Sequence, residues 1–183
     1  SAGYFHTVAI KTDGSLWAWG YKDGGRTPVT SPMKIGDGFK AVDAGNLHTI
    51  AIANDGSIWT WGVNNSGQLG DGTTFTRSSP ARVPILANAS SISASNGYSL
   101  AIVGGLARAW GLNGNGQLGD ATLASRSTPV LITNETATAP LDLSSEVPST
   151  IDPALLPTYF LSTSKVDQNL GATLTDLRAS GFN

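Results

Sequence analysis

The stretch that decides the fold is residues 55–71, which reads DGSIWTWGVNNSGQLGD. Within residues 57–61 the apolar residues Trp59 and Trp61 alternate with Thr60, the period of a β-strand. Residues 49–53 show a related alternation before Asn54, Asp55 and Gly56. Such a tripeptide supplies the positive φ that a tight hairpin turn needs. The stretch therefore predicts two antiparallel strands followed by a glycine-rich loop.

The same pattern recurs on both sides. Residues 13–20 read DGSLWAWG, and NNSGQLGD at 64–71 recurs as NGNGQLGD at 113–120, at an offset of 49 residues. Further strands are predicted after Pro80 and Pro129 and at 39–43 and 90–94. We therefore predict an all-β chain, a partial β-propeller of three four-stranded blades at about 1–35, 36–85 and 86–132.

The first blade departs from this pattern in two ways. Its equivalent of the GQLG loop is deleted, which predicts a shorter loop. The strand equivalent to 39–43 is also missing before Ser1. Because an unpaired edge leaves backbone groups open to another strand, we predict that residues 159–162 pair with a blade edge in this chain or a neighbouring one.

The C-terminal part does not continue the repeat. Residues 133–157 are rich in Thr, Ser and Pro and are predicted to be an extended linker. Residues 158–183 are predicted to form a short strand and an amphipathic helix. The apolar residues of this helix recur at helical spacing: Val166, Leu170, Leu174 and Leu177.

The repeated motifs resemble the regulator of chromosome condensation family over residues 2–132, and the chain looks like a bacterial-type member. The resemblance implies a β-propeller, usually of seven blades. The family's name-giving member exchanges guanine nucleotide through loops outside the repeat consensus, so no residue here inherits that role. Bacterial members are mostly secreted or surface proteins, which implies protein binding more than catalysis.

Composition narrows the remaining classes of function. The 183 residues carry a net charge of −2 and no cysteine, which argues against nucleic acid as a partner and excludes disulfides and thiolate chemistry. No apolar stretch approaches the length of a transmembrane helix. The first residue is Ser1, not Met, and we interpret it as a processed or trimmed end.

No residues suggest a catalytic, cofactor or metal site. His6 and His48 occupy the same repeat position, which favours a structural hydrogen bond to a neighbouring turn over a metal ligand or base. Asp13 and Asp55 are expected to cap hairpin turns. We therefore predict that the chain is not an enzyme and binds no cofactor.

The tryptophans leave two interpretations open. Trp19, Trp61 and Trp110 are predicted to fill the space between blades. Trp17 and Trp59 are expected to face the other side of their strands, where they would either pack between blades or form an exposed aromatic hot spot.

The two glycine-rich loops, 64–74 and 113–121, are the predicted binding surface, since loops on a rigid scaffold carry recognition. The candidate partner-binding residues are Asn64, Asn65, Gln68, Asp71, Asn113, Asn115, Gln117 and Asp120.

The predicted function is a non-enzymatic protein-interaction module. The alternative is an architectural subunit of an extracellular or cell-surface assembly, and guanine nucleotide exchange is a remote third. The predicted partner is another protein or further copies of the chain, in an oligomer or a larger propeller, located outside the cell or at its surface, with the cytoplasm not excluded.

Overall fold

The computed structural model describes residues 1–22 and 28–132. The chain divides into two units, Ser1–Ser144 and Ser145–Asn183, and every described residue belongs to the first. The predicted linker, C-terminal strand and amphipathic helix lie outside the described residues. Within the described ranges, no helix is long and apolar enough to cross a membrane.

Eleven strands form the described part of the chain. In chain order they are β1 (His6–Ile10), β2 (Leu16–Gly20), β3 (Val29–Gly36), β4 (Phe39–Ala44), β5 (His48–Ala53), β6 (Ile58–Gly62), β7 (Arg77–Arg82), β8 (Ala89–Ala94), β9 (Tyr98–Val103), β10 (Leu106–Gly111) and β11 (Arg126–Leu131). They are arranged in three antiparallel sheets, ordered β1-β2-β3, β4-β5-β6-β7 and β11-β10-β9-β8. The predicted all-β fold and blade pattern are confirmed.

The first sheet differs from the prediction of three four-stranded blades because it has three strands in the described part of the chain. Residues 1–2 nevertheless pair with β1. The Ser1 amino group donates to the carbonyl of Val8, and the Val8 N–H donates back to the Ser1 carbonyl, each at 3.0 Å. Ala2 forms a β-bridge with Thr7, as Ala44 pairs with Thr49 in the second sheet.

The hairpin turns form as the sequence predicts. In the second sheet the Asp55 carboxylate accepts hydrogen bonds from the N–H and Oγ of Ser57, at 2.8 and 2.6 Å. Gly56 adopts a φ of +79°, and a Cβ there would lie 2.9 Å from the Cα of Asn88. Only glycine satisfies both conditions. The turn therefore holds the start of β8 close to the end of β5.

The core lies between neighbouring sheets. Ile50, Ile58 and Trp110 share one buried cluster that joins the second and third sheets. Leu16, Phe39 and Trp61 share another, which joins the first and second. Trp61 and Trp110 are 1% and 0% exposed, so their predicted role between blades is confirmed, whereas Trp19 is only half-buried.

Candidate functional site

The loop at 64–74 is organised by a fully buried asparagine. The Asn64 Oδ1 accepts the Leu69 N–H at 2.9 Å, and its Nδ2 donates to the Thr73 carbonyl at 3.0 Å. Asn113 makes the equivalent bonds with Leu118 and Thr122, both at 2.9 Å. These two candidates therefore hold the loop shape and are not available to touch a partner.

An aspartate closes each loop. The Asp71 carboxylate accepts hydrogen bonds from Thr73 and Arg77, and Asp120 accepts from Thr122 and from the Arg126 Nε, the latter at 2.6 Å. Partial burial opposes ionisation of Asp71, but these hydrogen bonds outweigh it and lower its pKa. The pKa of Asp120 is lowered against the same desolvation, by its own hydrogen bonds. Both side chains are thus charged at neutral pH and occupied within the loop.

The two glutamines also bond inside their loops. The Gln68 Oε1 accepts the Ser66 N–H, and the Gln117 Oε1 accepts the Asn115 N–H, both at 2.9 Å. The main-chain carbonyl of Gln68 has a second role, because it accepts hydrogen bonds from Ser99 Oγ and Trp110 Nε1 in the third sheet. The loop of the second repeat therefore joins two sheets.

Glycines let this loop rest directly on the third sheet. A Cβ at Gly67 would lie 2.5 Å from the Cα of Ser127, and the Gly72 N–H donates to the Ser127 carbonyl at 2.9 Å. At the equivalent Gly116, the nearest atom to an added Cβ would be Leu123 Cδ2, at 3.7 Å. The loop at 64–74 therefore packs tightly on the third sheet, whereas the loop at 113–121 has room for a Cβ at Gly116.

The exposed positions of the loops are fewer than predicted. Asn65 and Asn115 face solvent, and Gln117 is half-buried. Two apolar residues that the sequence prediction missed are more prominent, because Phe75 is 77% and Leu123 is 68% exposed. A large apolar residue in a stretch rich in Gly, Thr and Asn was the available signal. Partner binding by the predicted loop residues stays a prediction.

The histidines link neighbouring sheets. The Nε2 of His6 lies 2.9 Å from Thr49 Oγ1, and the Nε2 of His48 lies 2.9 Å from Ser99 Oγ. The partners are strand residues, not the turn residues we predicted. Burial lowers the pKa of His48 to about 4, helped by the nearby His6. Residues 1–22 and 28–132 contain no group of three or more His, Asp or Glu side chains placed to hold a metal.

Comparisons with known proteins agree with this geometry. Profiles of the regulator of chromosome condensation (RCC1) repeat match residues 55–102 and, in a second version, residues 1–25 and 39–68. No curated protein matches the sequence.

Solved structures share the fold at low identity. Prp20p from Saccharomyces cerevisiae is 18% identical, with a TM-score of 0.65 over 73% of this chain and 37% of that one. Human WBSCR16 is 19% identical, with a TM-score of 0.62 over 70% of this chain and 36% of that one. The chain thus spans little more than a third of these proteins. The chain therefore contains repeats of the regulator of chromosome condensation (RCC1) type.

Proposed function

We propose that this chain is a non-enzymatic protein-interaction module that binds a protein partner through the loops after β6 and β10. The observation that carries the proposal is the exposure of Phe75 and Leu123, at 77% and 68%. Both side chains follow an aspartate-closed loop whose backbone is fixed by buried asparagines. Large apolar groups held on a rigid frame bind without a large loss of conformational entropy.

Similar folds support this role. The structure of Prp20p is described together with its binding to Gsp1p and histones, and yeast RCC1 has been solved bound to Kap60. Those partners belong to those proteins. For the present chain they support binding of some protein partner, and a location at the cell surface remains our proposal.

The test is a matched pair of surface variants. Proteins captured by the immobilised chain are purified, and their affinities are measured by calorimetry. Phe75→Ser with Leu123→Ser should weaken a true partner at least about tenfold, the effect of losing roughly 1.4 kcal/mol. Ile85→Asn is the control, because Ile85 is 100% exposed and precedes β8, away from these loops. An equal loss of affinity in both variants would show that the partner does not bind through these loops.

The second candidate function is a subunit of a larger assembly. Each sheet bonds the next in the same way: Trp61 Nε1 donates to the Lys22 carbonyl, and Trp110 Nε1 donates to the Gln68 carbonyl. In the first sheet the equivalent Trp19 is half-buried. Its face and the open loop of the third sheet could each join a further blade. Light scattering over a concentration series would show growing mass, and a constant monomer mass would count against this candidate.

A further inference from the structure

In the first repeat, an ammonium group of the chain itself lies over a tryptophan ring. The Lys11 Nζ is 4.0 Å from the centroid of the Trp17 ring. The ring is held at its polar edge, because Trp17 Nε1 donates to Ser15 Oγ at 2.9 Å and Ser15 Oγ donates to Asp13 at 2.6 Å. The negative face of the ring attracts the cation, and the carboxylate adds negative charge nearby. This frame therefore accepts an ammonium group.

The second repeat builds the same frame without the ammonium group. Trp59 Nε1 donates to Ser57 Oγ at 2.9 Å, and Ser57 Oγ donates to Asp55 at 2.6 Å. The distances equal those of the first repeat. The residue aligned with Lys11 is Ala53, whose methyl group carries no charge and does not extend over a ring. The aromatic face that Lys11 covers in the first repeat has no such built-in cover here.

A cleft occupies this position. It has a volume of about 350 Å³, and Ala53 and Trp59 line it together with Phe39 and the carboxylate residues Asp37 and Asp55. The Phe39 ring meets Trp59 edge to face, at 6.4 Å between centroids and an angle of 80°. The volume falls at the small end of ligand sites, roughly 300–1,000 Å³. An aromatic wall with acidic residues suits one long aliphatic side chain that ends in a cation.

We propose that this cleft binds a lysine side chain of a protein partner, with its ammonium group over the Trp59 ring and near the Asp55 carboxylate. The position of Lys11 in the first repeat is the internal precedent for that occupant. The cleft is at the hairpin end of β6, whereas the loop at 64–74 follows its other end. This inference extends the proposed protein binding to a second surface. An experiment can therefore disprove lysine binding by the cleft without disproving partner binding by the loops, and the reverse.

Two neighbouring cationic side chains affect how well the cleft can bind an ammonium group. Lys34 pairs with Asp37 at 2.8 Å, but both side chains are about half exposed or more, at 49% and 68%. Exposed ion pairs are weak in water, so this pair can open. Arg82 is the cross-strand neighbour of Trp59, and its charge acts on the Asp55 carboxylate. It therefore opposes an incoming cation, and Arg82→Ser should strengthen lysine binding. In the third repeat Arg108 replaces the tryptophan, so no equivalent cleft is expected there.

The test uses nuclear magnetic resonance of the ¹⁵N-labelled full chain. The indole N–H signal of Trp59 is assigned with Trp59→Phe, and the probes are N-acetyl-lysine methylamide and the uncharged N-acetyl-norleucine methylamide. We expect the lysine probe to shift the Trp59 signal in a saturable way, with little effect at Trp17, which Lys11 covers. Equal shifts with norleucine, or none with lysine at millimolar concentration, would overturn the proposal.

Two reciprocal substitutions sharpen the result. Ala53→Lys should fill the cleft from within and weaken lysine binding at least about tenfold, as expected for a lost cation–π contact with its charge partner. Lys11→Ala should uncover the first frame, so that the Trp17 signal now responds as well. Unchanged indole signals of Trp61 and Trp110 report an intact fold in each variant.

Further experiments distinguish the cleft from the loop surface, and a lysine side chain from other cations. Phe75→Ser with Leu123→Ser should leave lysine binding unchanged even if partner capture is lost, so this result and the loop proposal are distinguishable. Binding of tetramethylammonium without binding of the lysine probe would overturn the assignment to a lysine side chain. Undiminished lysine binding by Ala53→Lys would overturn the placement over Trp59.

Discussion

The imidazole Nε2 of His48 lies 2.9 Å from the hydroxyl Oγ of Ser99 and joins the second sheet to the third. The same hydroxyl donates to the Gln68 carbonyl at 2.9 Å. A serine hydroxyl has one proton to donate, so Nε2 must carry the proton in the bond to Oγ. This geometry assigns the neutral Nε2–H tautomer to His48 and makes protonation costly, because the charge would be buried.

Acid should therefore weaken the fold through His48. Its pKa is about 4 in the folded chain, against the usual 6.5 of a histidine. Between these values the unfolded chain binds more protons, so stability rises with pH and falls as pH drops from about 6.5 to about 4. The full loss is about 3 kcal/mol. Urea denaturation at pH values across this window should show the slope.

His48→Gln is the matching control, because its amide can still donate to Ser99 without titrating. Its stability should depend less on pH over the same window. Some slope should remain, since burial also lowers the pKa of His6. The hydrogen-bonded carboxylates have lowered pKa values, so their effect appears below the window. An unchanged slope in His48→Gln would assign the acid sensitivity to another group.

Loss of the Asn64 side chain should destabilise the chain strongly. Asn64→Ala removes the acceptor of the Leu69 N–H and the donor to the Thr73 carbonyl. Each buried group left without a partner costs about 1–3 kcal/mol, so we expect a loss of roughly 2–4 kcal/mol by urea denaturation. Asn65→Ala changes an exposed neighbour and should stay within about 0.5 kcal/mol. Similar losses in the two variants would contradict the buried role of Asn64.

The loop asparagines show which structural features the sequence can predict and which it cannot. Period-two alternation and turn residues predicted the strands, because each signal is local to a few neighbouring residues. The direction of Asn64 depends on how its loop closes and docks on the third sheet, which no local pattern contains. Exposed apolar side chains such as Phe75 are not repeated: the residue 49 positions later is Ala124. Positions shared between repeats are constrained by packing, so contacts to a partner are better sought where repeats differ.

The tryptophans illustrate the same limit. We expected Trp59 and Trp61 to lie on opposite faces of β6, and this is wrong. Residues two apart on a strand point to the same face, and both rings pack in the cluster between the first and second sheets. The alternation left open how far each ring is covered. The structure buries Trp61 and leaves Trp59 half-buried beside a cleft. Burial was decided by the first sheet, whose Lys22 carbonyl accepts the Trp61 N–H at 3.0 Å. A contact between sheets cannot be read from one strand.

Trp110 should be far more sensitive to substitution than Trp59. Trp110→Phe removes the hydrogen bond to the Gln68 carbonyl and leaves space in a fully buried cluster, so we expect a loss of roughly 2–3 kcal/mol. Trp59→Phe removes a hydrogen bond to Ser57 at a half-buried site, which should cost below about 1 kcal/mol. Thermal and urea denaturation of both variants give the comparison. A larger loss for Trp59→Phe would reverse the assignment of the core tryptophan.

Two equivalent glycines should respond very differently to alanine. Gly67 and Gly116 have φ values of +80° and +73°, so Gly→Ala adds similar backbone strain of about 1 kcal/mol at each. At Gly67 the new methyl would also meet the Cα of Ser127 at 2.5 Å, and the loop would have to move off β11. That movement would break the hydrogen bond from Gly72 to Ser127. We expect Gly67→Ala to lose about 3 kcal/mol or more and Gly116→Ala about 1 kcal/mol by urea denaturation. Because the backbone strain is matched, the difference measures the clasp between the loop and the third sheet. Equal losses would mean that the loop at 64–74 does not rest on that sheet in solution.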